Sequence, residues 1–279
     1  MMRMKSILIS WTMCCALAGT CMAQQTWSSM SVEPDLRSIR NETFARGEWL
    51  KFRVHYGFIT AGYLEMEVAP TTPIRHDRPC YHIIGHGYTH PAFEWFYTVD
   101  DKYESYCDEE SLVSWEFNRQ IREGSFAAYT ETHFDQYDHV ATHINNKKQA
   151  AEYQVPEYVQ DVISAFYYAR ARYNQRELQP GDRIELHNFI DRKPYRLEAR
   201  MLKREVIEVH DQAFRTMKFD LLIEEAGMIT DGSTIRFWIS DDENKIPLRV
   251  ESELMVGSLA ASLIDVKGLL HPMSSKVED

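Results

Sequence analysis

The chain has 279 residues, of which 44% are hydrophobic and 26% are charged, and its formal net charge is −11 at pH 7. An acidic surface of this kind disfavours nucleic acid as a partner, and it disfavours binding to an anionic membrane by charge alone. The length suffices for one large domain with a sizeable core.

The N-terminal segment has the order of a secretory signal peptide. Two basic residues precede a largely apolar stretch over residues 7–18, and a small-residue site ends at Ala23. This order predicts a signal peptide over residues 1–23 and an exported protein, either periplasmic or extracellular. A lipid anchor on Cys21 is the alternative, although Thr20 stands where lipidation favours Gly or Ala. No later segment approaches the roughly 20 apolar residues of a transmembrane helix.

Most of the remaining chain carries a strand pattern. Residues 24–44 are polar and unpatterned, which predicts a flexible lead-in, and residues 271–279 are predicted to form a disordered tail. Between them apolar and polar residues alternate in short segments separated by turn-forming clusters, as in half-buried strands. With no internal repeat and no linker, residues 45–270 are predicted to form a single β-rich domain. Strands are predicted over residues 49–56, 63–68, 80–88, 98–107, 112–122, 126–134, 139–145, 183–189, 195–209, 214–224, 234–240, 246–254 and 258–267. A short helix is the alternative for the last of these segments.

One segment departs from this period. Over residues 156–173, Val159, Ile163 and Phe166 fall on one helical face, and Pro156 suits the first position of a helix. The pattern predicts the one principal helix of the chain. The short, regularly spaced strands around it favour a mainly β fold, with an antiparallel sheet, sandwich or barrel rather than a βαβ architecture.

Cys80 and Cys107 are the two cysteines outside the predicted signal peptide. They lie at the outer ends of two segments predicted to pair as antiparallel strands. A disulfide between them is therefore geometrically feasible, and an exported protein permits one. Two free, buried thiols are the alternative.

Candidate catalytic and metal-binding residues are few. His82, His86 and His90 have a spacing that would suit a metal site on a helix, but the glycines between them favour a strand. In a strand neighbouring histidines of this set lie about 13 Å apart, which is too far to share one ion. The acidic segment 241–244 lacks the central glycine of a calcium loop and is typical of a turn. Neither a nucleophile motif nor a phosphate-binding glycine loop is present. The sequence thus predicts no catalytic residue, no metal and no cofactor.

Aromatic residues in the connections are the positive evidence for a binding function. Phe58 and Ile59 lie in one predicted strand-to-strand loop, Phe93 and Trp95 lie in another, and Phe166 lies in the predicted helix. A β-barrel can hold a hydrophobic ligand in a cavity that is lined by aromatic rings and covered by apolar loops. These five residues are therefore the predicted ligand contacts. The alternative is that the rings fill the core.

Three stretches together resemble a known family. The first is Gly-Glu-Trp-Leu at residues 47–50, followed by Tyr-Gly-Phe-Ile-Thr-Ala-Gly at residues 56–62. The second is Asp-Val-Ile-Ser-Ala-Phe-Tyr-Tyr-Ala-Arg at residues 161–170. The third is Trp-Ile-Ser-Asp-Asp at residues 238–242, followed by Ile-Pro-Leu at residues 246–248.

In these stretches the chain resembles the exported bacterial family called domain of unknown function 3108. The resemblance implies a secreted or periplasmic, predominantly β protein without an established activity. It also implies a long antiparallel sheet, curved toward a barrel or half-barrel like those of envelope carriers of lipids or lipoproteins. Fold alone does not fix function.

These observations favour an exported, non-enzymatic binding protein for a hydrophobic ligand, such as a lipid or the acyl chains of a lipoprotein, in the bacterial envelope. A module that docks on another envelope protein is the alternative, and it predicts an apolar patch outside and a filled interior. A hydrolase with an unidentified carboxylate or histidine site is the third interpretation, and it predicts such groups converging in a cleft.

Overall fold

The computed structural model describes residues 36–225, 228–229, 235–253 and 257–278, so the predicted signal peptide lies outside the described residues. One α-helix, α1, spans Val162–Arg172. The strands, in chain order, are β1 Trp49–Tyr56, β2 Ile59–Val68, β3 Ile74–Arg75, β4 Arg78–Thr89, β5 Asp100–Asp108, β6 Ser114–Glu123, β7 Phe126–Asp135, β8 Val140–Ile144, β9 Ala150–Gln154, β10 Arg183–Ile190, β11 Lys193–Val209, β12 Gln212–Glu225, β13 Met228–Ile229, β14 Ile235–Ser240, β15 Pro247–Glu253 and β16 Ser258–Lys267.

All of these strands belong to one antiparallel sheet. The order across it is β10-β11-β12-β14-β15-β16-β1-β2-β4-β5-β6-β7-β8-β9, with β13 beside β12 and β3 beside β4. The pairing of β1 with β16 joins the first and second halves of the chain. The two ends of the sheet are therefore β9 and β10, which are joined in sequence by the segment that contains α1.

The sheet is curled so that its two ends approach each other without closing into a continuous barrel. The ring of Phe189 on β10 lies 5.5 Å from the ring of Tyr153 on β9 and 6.0 Å from that of Phe134 on β7. Between β9 and α1, Gln160 bridges to Asn188 of β10. The predicted mainly β fold, with a curved antiparallel sheet and one principal helix, is confirmed.

The helix is shorter than the predicted range of 156–173. Asp161 caps it, accepting hydrogen bonds from the backbone N–H groups of Ile163 and Ser164, while the Ser164 hydroxyl accepts from the N–H of Asp161. The preceding residues cannot be helical because Tyr158 has a φ of 57° and Gln160 pairs with β10. The prediction was therefore wrong at its N-terminal end. No helix in the described ranges is long and apolar enough to cross a membrane.

Apolar side chains fill the concave face of the sheet in three clusters. The first lies between α1 and the sheet from β2 to β8, and it includes Tyr167 of α1 and Phe134 of β7. The second joins Ala165 of α1 to β10, β11 and β12. The third contains Leu50 and Phe52 of β1 together with residues of β11, β12, β15 and β16. The interior of the half-barrel is thus packed with side chains around the helix.

Residues of both predicted flexible ends pack against the rest of the fold. In the lead-in, Phe44 is buried, and its ring lies 4.7 Å from that of Tyr167 on α1. In the tail, Ser275 is buried, and the backbone N–H groups of Arg215 and Val277 form hydrogen bonds that tie residues 274–277 to the start of β12. The tail lies beside residues 213–215 of β12, a position that β14 leaves open because its pairing with β12 ends at Thr216.

The candidate disulfide does not form, and both cysteines are free and buried. In the β4–β5 register, Cys80 lies opposite Asp108 and Cys107 lies opposite Tyr81. An offset of one residue places the two thiols on opposite faces of the sheet, since successive side chains alternate. Cys107 accordingly packs against the cluster under α1, whereas Cys80 packs beside Trp115. The structure thus has two free, buried thiols at these positions.

Candidate functional site: an aromatic rim

Three connections between strands lie at the same end of the sheet. They are the β1–β2 turn, the β4–β5 connection and the β6–β7 turn, and in an antiparallel sheet alternate connections share an end. Backbone hydrogen bonds tie them together: His90 N–H donates to Ala61 C=O over 2.9 Å, and Gly124 N–H donates to Thr98 C=O over 2.7 Å. The three connections therefore form one surface.

Two glycines allow the connections to approach so closely. A Cβ at Gly62 would lie 2.4 Å from the carbonyl oxygen of Tyr88, so only glycine lets β2 reach β4 at this point. Gly124 has a φ of +57°, and a Cβ there would lie 3.1 Å from the ring of Tyr97. The ring of Tyr97 consequently lies over the β6–β7 turn.

The β4–β5 connection has its own hydrogen-bonded structure. His90 Nδ1 accepts from the N–H of Ala92 at the start of a short 3-10 helix, Pro91–Phe93. The indole N–H of Trp95 donates to the carbonyl oxygen of Ala92 over 3.0 Å, and the Trp95 and Phe96 rings lie edge to face with centroids 5.9 Å apart. Because the one polar group of the Trp95 side chain is bonded internally, the exposed part of this side chain is apolar.

The side chains that project from this surface are strongly exposed. Phe58 is 92% exposed, Trp95 83%, Phe96 77% and Phe126 60%. Rings of this size are usually withdrawn from water, so a group of exposed rings marks an interaction surface. We call this surface the aromatic rim, and we define it as Tyr56, Phe58, Ile59, Phe93, Trp95, Phe96, Tyr97, Phe126 and Leu259.

Four of the five predicted ligand contacts lie in the aromatic rim, and the fifth does not. Phe166 lies on α1, half-buried against the first core cluster, with its ring 5.4 Å from that of Tyr167. Sequence reasoning missed Phe126, although a similar signal marks it, since it lies two residues after the turn glycine Gly124 and Phe58 lies one residue after Gly57.

None of the rim residues lines either of two depressions in the described part of the chain. One depression, of about 410 Å³, lies on the polar face of the sheet, and another, of about 120 Å³, lies beside the start of α1. Neither is lined by any of the five predicted residues. The rim therefore presents its rings outward.

Polar residues that suggested chemistry are engaged in structural contacts. His82 Nε2 lies 3.0 Å from Glu104, and His86 Nε2 lies 2.8 Å from Asp100. In the acidic turn, Asp242 accepts hydrogen bonds from the Ser240 hydroxyl and from the N–H of Asn244, as the turn interpretation predicts. Within the described ranges, no three His, Cys, Asp or Glu side chains are grouped so that they could hold a metal ion.

Comparison with known proteins gives a family and several distant structural likenesses. A family model described as a protein of unknown function, DUF3108, matches residues 51–264. No curated protein matches the chain. A β-barrel-like protein of domain of unknown function DUF1849 from Brucella abortus is 7% identical, with a TM-score of 0.49 over 84% of this chain and 99% of the other.

Two further solved structures are similar at lower scores. One is a protein described as exported, with a YmcC-like fold, from Bacteroides fragilis NCTC 9343; it is 11% identical, with a TM-score of 0.31 over 82% of this chain and 99% of the other. The second is described as a lipoprotein from Parabacteroides distasonis ATCC 8503; it is 11% identical, with a TM-score of 0.28 over 84% of this chain and 100% of the other.

Proposed function

The chain belongs to the DUF3108 family of proteins of unknown function, and from that premise and the geometry above we propose that it is an exported, non-enzymatic binding protein whose aromatic rim engages the apolar part of a lipid. The observation that carries the proposal is the exposure of Phe58, Trp95, Phe96 and Phe126 on three connections at one end of the sheet. An exported protein of the bacterial envelope is surrounded by lipid surfaces and by acylated proteins.

The energy available at the rim is large. Withdrawing about 100 Å² of one exposed ring from water contributes about 2.5 kcal/mol at about 25 cal/mol/Å². Four such rings contribute about 10 kcal/mol before the costs of association and ordering are subtracted. The gain is of the same order as those costs, which suits the reversible binding of a carrier or a peripheral protein.

The shape and chemistry of the rim favour lipid. Its rings project from turns, and Trp and Tyr are the aromatic residues most enriched at membrane interfaces. The indole N–H of Trp95 already forms a hydrogen bond within its own loop. Inserting the exposed part of this side chain among acyl chains would therefore leave no donor without a partner. The net charge of −11 favours a zwitterionic over an anionic lipid surface.

The test measures how the protein partitions onto phosphatidylcholine vesicles. The protein is expressed from its full sequence, without an added N-terminal tag, and purified. We expect the protein to co-sediment with the vesicles. The double variant Phe58→Ala/Trp95→Ala should partition at least about 100-fold more weakly, since two rings contribute about 5 kcal/mol and 1.4 kcal/mol is tenfold. The matched control is Ile74→Ala, which truncates an exposed apolar side chain on β3, beside the opposite end of β4.

Wild-type protein that stays in the supernatant, or a double variant that partitions like the wild type, would contradict the lipid proposal. Comparing the native and denatured masses of the purified protein adds a second readout. A native excess that disappears on denaturation and extracts as lipid supports a carrier of single lipids, whereas binding to vesicles without retained lipid supports a peripheral protein.

Docking on another envelope protein is the second candidate function. It is favoured by the combination of a packed interior and an apolar patch outside. Under this alternative the rim variants lose a protein partner in crosslinking from intact cells, while vesicle binding is absent in the wild type as well.

A further inference from the structure

A polar groove of about 410 Å³ crosses five strands on the face of the sheet that is turned away from α1. Register places Glu65, His86, Lys102 and Gln120 side by side on β2, β4, β5 and β6. Gly85, the neighbour of His86 in sequence, faces Ile163 of α1. Since side chains alternate along a strand, the groove lies on the opposite face. Its lining residues are Trp49, Glu65, Glu67, Ile84, His86, Asp100, Lys102 and Gln120.

Some of these side chains already have partners, and those partners make the groove rigid. Glu65 accepts hydrogen bonds from Lys51 over 2.9 Å, from the Tyr88 hydroxyl over 2.7 Å and from the indole N–H of Trp49 over 3.3 Å. Three donors on neighbouring strands thus fix this carboxylate, and the bond to Trp49 fixes the orientation of the indole ring at the wall of the groove.

Two lining side chains keep their hydrogen-bonding capacity for a ligand. Among the described residues, the carboxylate of Glu67 and the amide of Gln120 have no hydrogen-bond or ion-pair partner, although both side chains are half-buried. Glu67 is an acceptor, whereas Gln120 can donate and accept. Ile84, which lies opposite Glu67 in the register of β2 and β4, supplies an apolar floor.

The charges at the groove balance. Each lining charge except Glu67 has an opposite charge or a histidine beside it: Lys51 pairs with Glu65, Lys102 pairs with Glu104, and Asp100 lies between His86 and Arg122. The ammonium group of Lys267 lies 4.4 Å from the centroid of the Trp49 ring. Of the three carboxylates and one ammonium group that line the groove, only Glu67 therefore lacks such a partner, and the groove offers neither an anionic nor a cationic ligand a large net attraction.

From this balance we propose that the groove binds a neutral saccharide. Sugar hydroxyls both donate and accept, so they match Glu67 and Gln120, and the C–H face of a pyranose ring can cover Ile84 and the edge of Trp49. An apolar ligand would leave Glu67 and Gln120 desolvated without partners. The volume lies within the ~300–1,000 Å³ of small-molecule sites. This site is separate from the aromatic rim and does not depend on the function proposed for it.

The test is a calorimetric and tryptophan-fluorescence titration of the full chain with maltotetraose, cellotetraose, chitotetraose and mannotetraose, with spermidine as the cationic comparison. We expect at least one of the saccharides to bind and to change the fluorescence through Trp49. Glu67→Gln and Gln120→Ala should each weaken that binding about tenfold or more, because each removes a hydrogen bond made to the ligand. The matched control is Glu152→Gln, which neutralises an exposed carboxylate on β9.

Three results would overturn the proposal. Failure of all four saccharides to bind at about 10 mM would do so, and so would binding of spermidine alone. Saccharide binding that Glu67→Gln and Gln120→Ala leave unchanged would place the site elsewhere. Circular dichroism of each variant establishes that a loss of binding is not a loss of fold.

Discussion

The ion pair between Glu48 and Arg170 is the most informative place to perturb the stability of the fold. The side chain of Arg170 is 2% exposed and that of Glu48 is 0% exposed, and the guanidinium donates to both carboxylate oxygens over 2.6 and 2.8 Å. Arg170 also donates to the carbonyl oxygen of Asn244 over 2.9 Å. The pair therefore joins the lead-in to β1, the end of α1 and the β14–β15 turn.

Replacing Arg170 with Met should lower the free energy of unfolding by about 3–5 kcal/mol, because it leaves the Glu48 carboxylate buried and unpaired. The double variant Glu48→Leu/Arg170→Met removes that carboxylate. It should recover most of the loss and remain about 1–2 kcal/mol below the wild type, the cost of leaving the Asn244 carbonyl without its donor. The two substitutions should thus be strongly non-additive.

Urea unfolding followed by circular dichroism measures all variants on one scale. The exposed pair Arg176–Glu243 provides the matched control, and Arg176→Met should cost less than about 1 kcal/mol. The reasoning fails if Arg170→Met costs no more than this control, or if the double variant is as unstable as the two single variants added together.

Two further predictions concern Asp108 and the free thiols. Burial by itself would raise the pKa of Asp108, but hydrogen bonds from Arg78 and Trp115 outweigh it and lower the pKa to about 2. A folded pKa below the unfolded value of 3.8 stabilises the protein above pH 3.8, so about 2 kcal/mol of stability should be lost as the pH falls through about 2. Between pH 6 and pH 2 the urea midpoint of Asp108→Asn should therefore fall less than that of the wild type. An equal fall in both proteins would refute this. Burial raises the pKa of Cys80 to about 12 and that of Cys107 well above its usual value. Peptide mapping should therefore find neither thiol alkylated by iodoacetamide until the protein is unfolded, and a reductant should leave the Tm unchanged. Rapid labelling of the folded protein would contradict this, because it would show that the thiols are accessible.

Local sequence was sufficient to predict nearly all of the long strands. Their alternating burial produces a period-2 pattern that requires no knowledge of the partner strand. The short strand β9, with the sequence Ala-Ala-Glu-Tyr-Gln, has no such pattern and pairs only because β8 lies beside it. The helix was recognised from its apolar face, but its start was misplaced. Asp161 and Ser164 carry a readable capping signal, whereas the pairing of Gln160 with β10 is a tertiary contact.

The candidate site divides in the same way. The presence of apolar rings in the connections was predictable from the chain alone, because turn glycines and adjacent aromatics are local features. The folded chain was needed to show that three connections meet at one end, that Phe166 faces the core, and that Cys80 and Cys107 lie on opposite faces. The physical reason is that these outcomes depend on strand register and on contacts between distant segments. A shift of one residue in register reverses the face of every side chain without changing any local pattern.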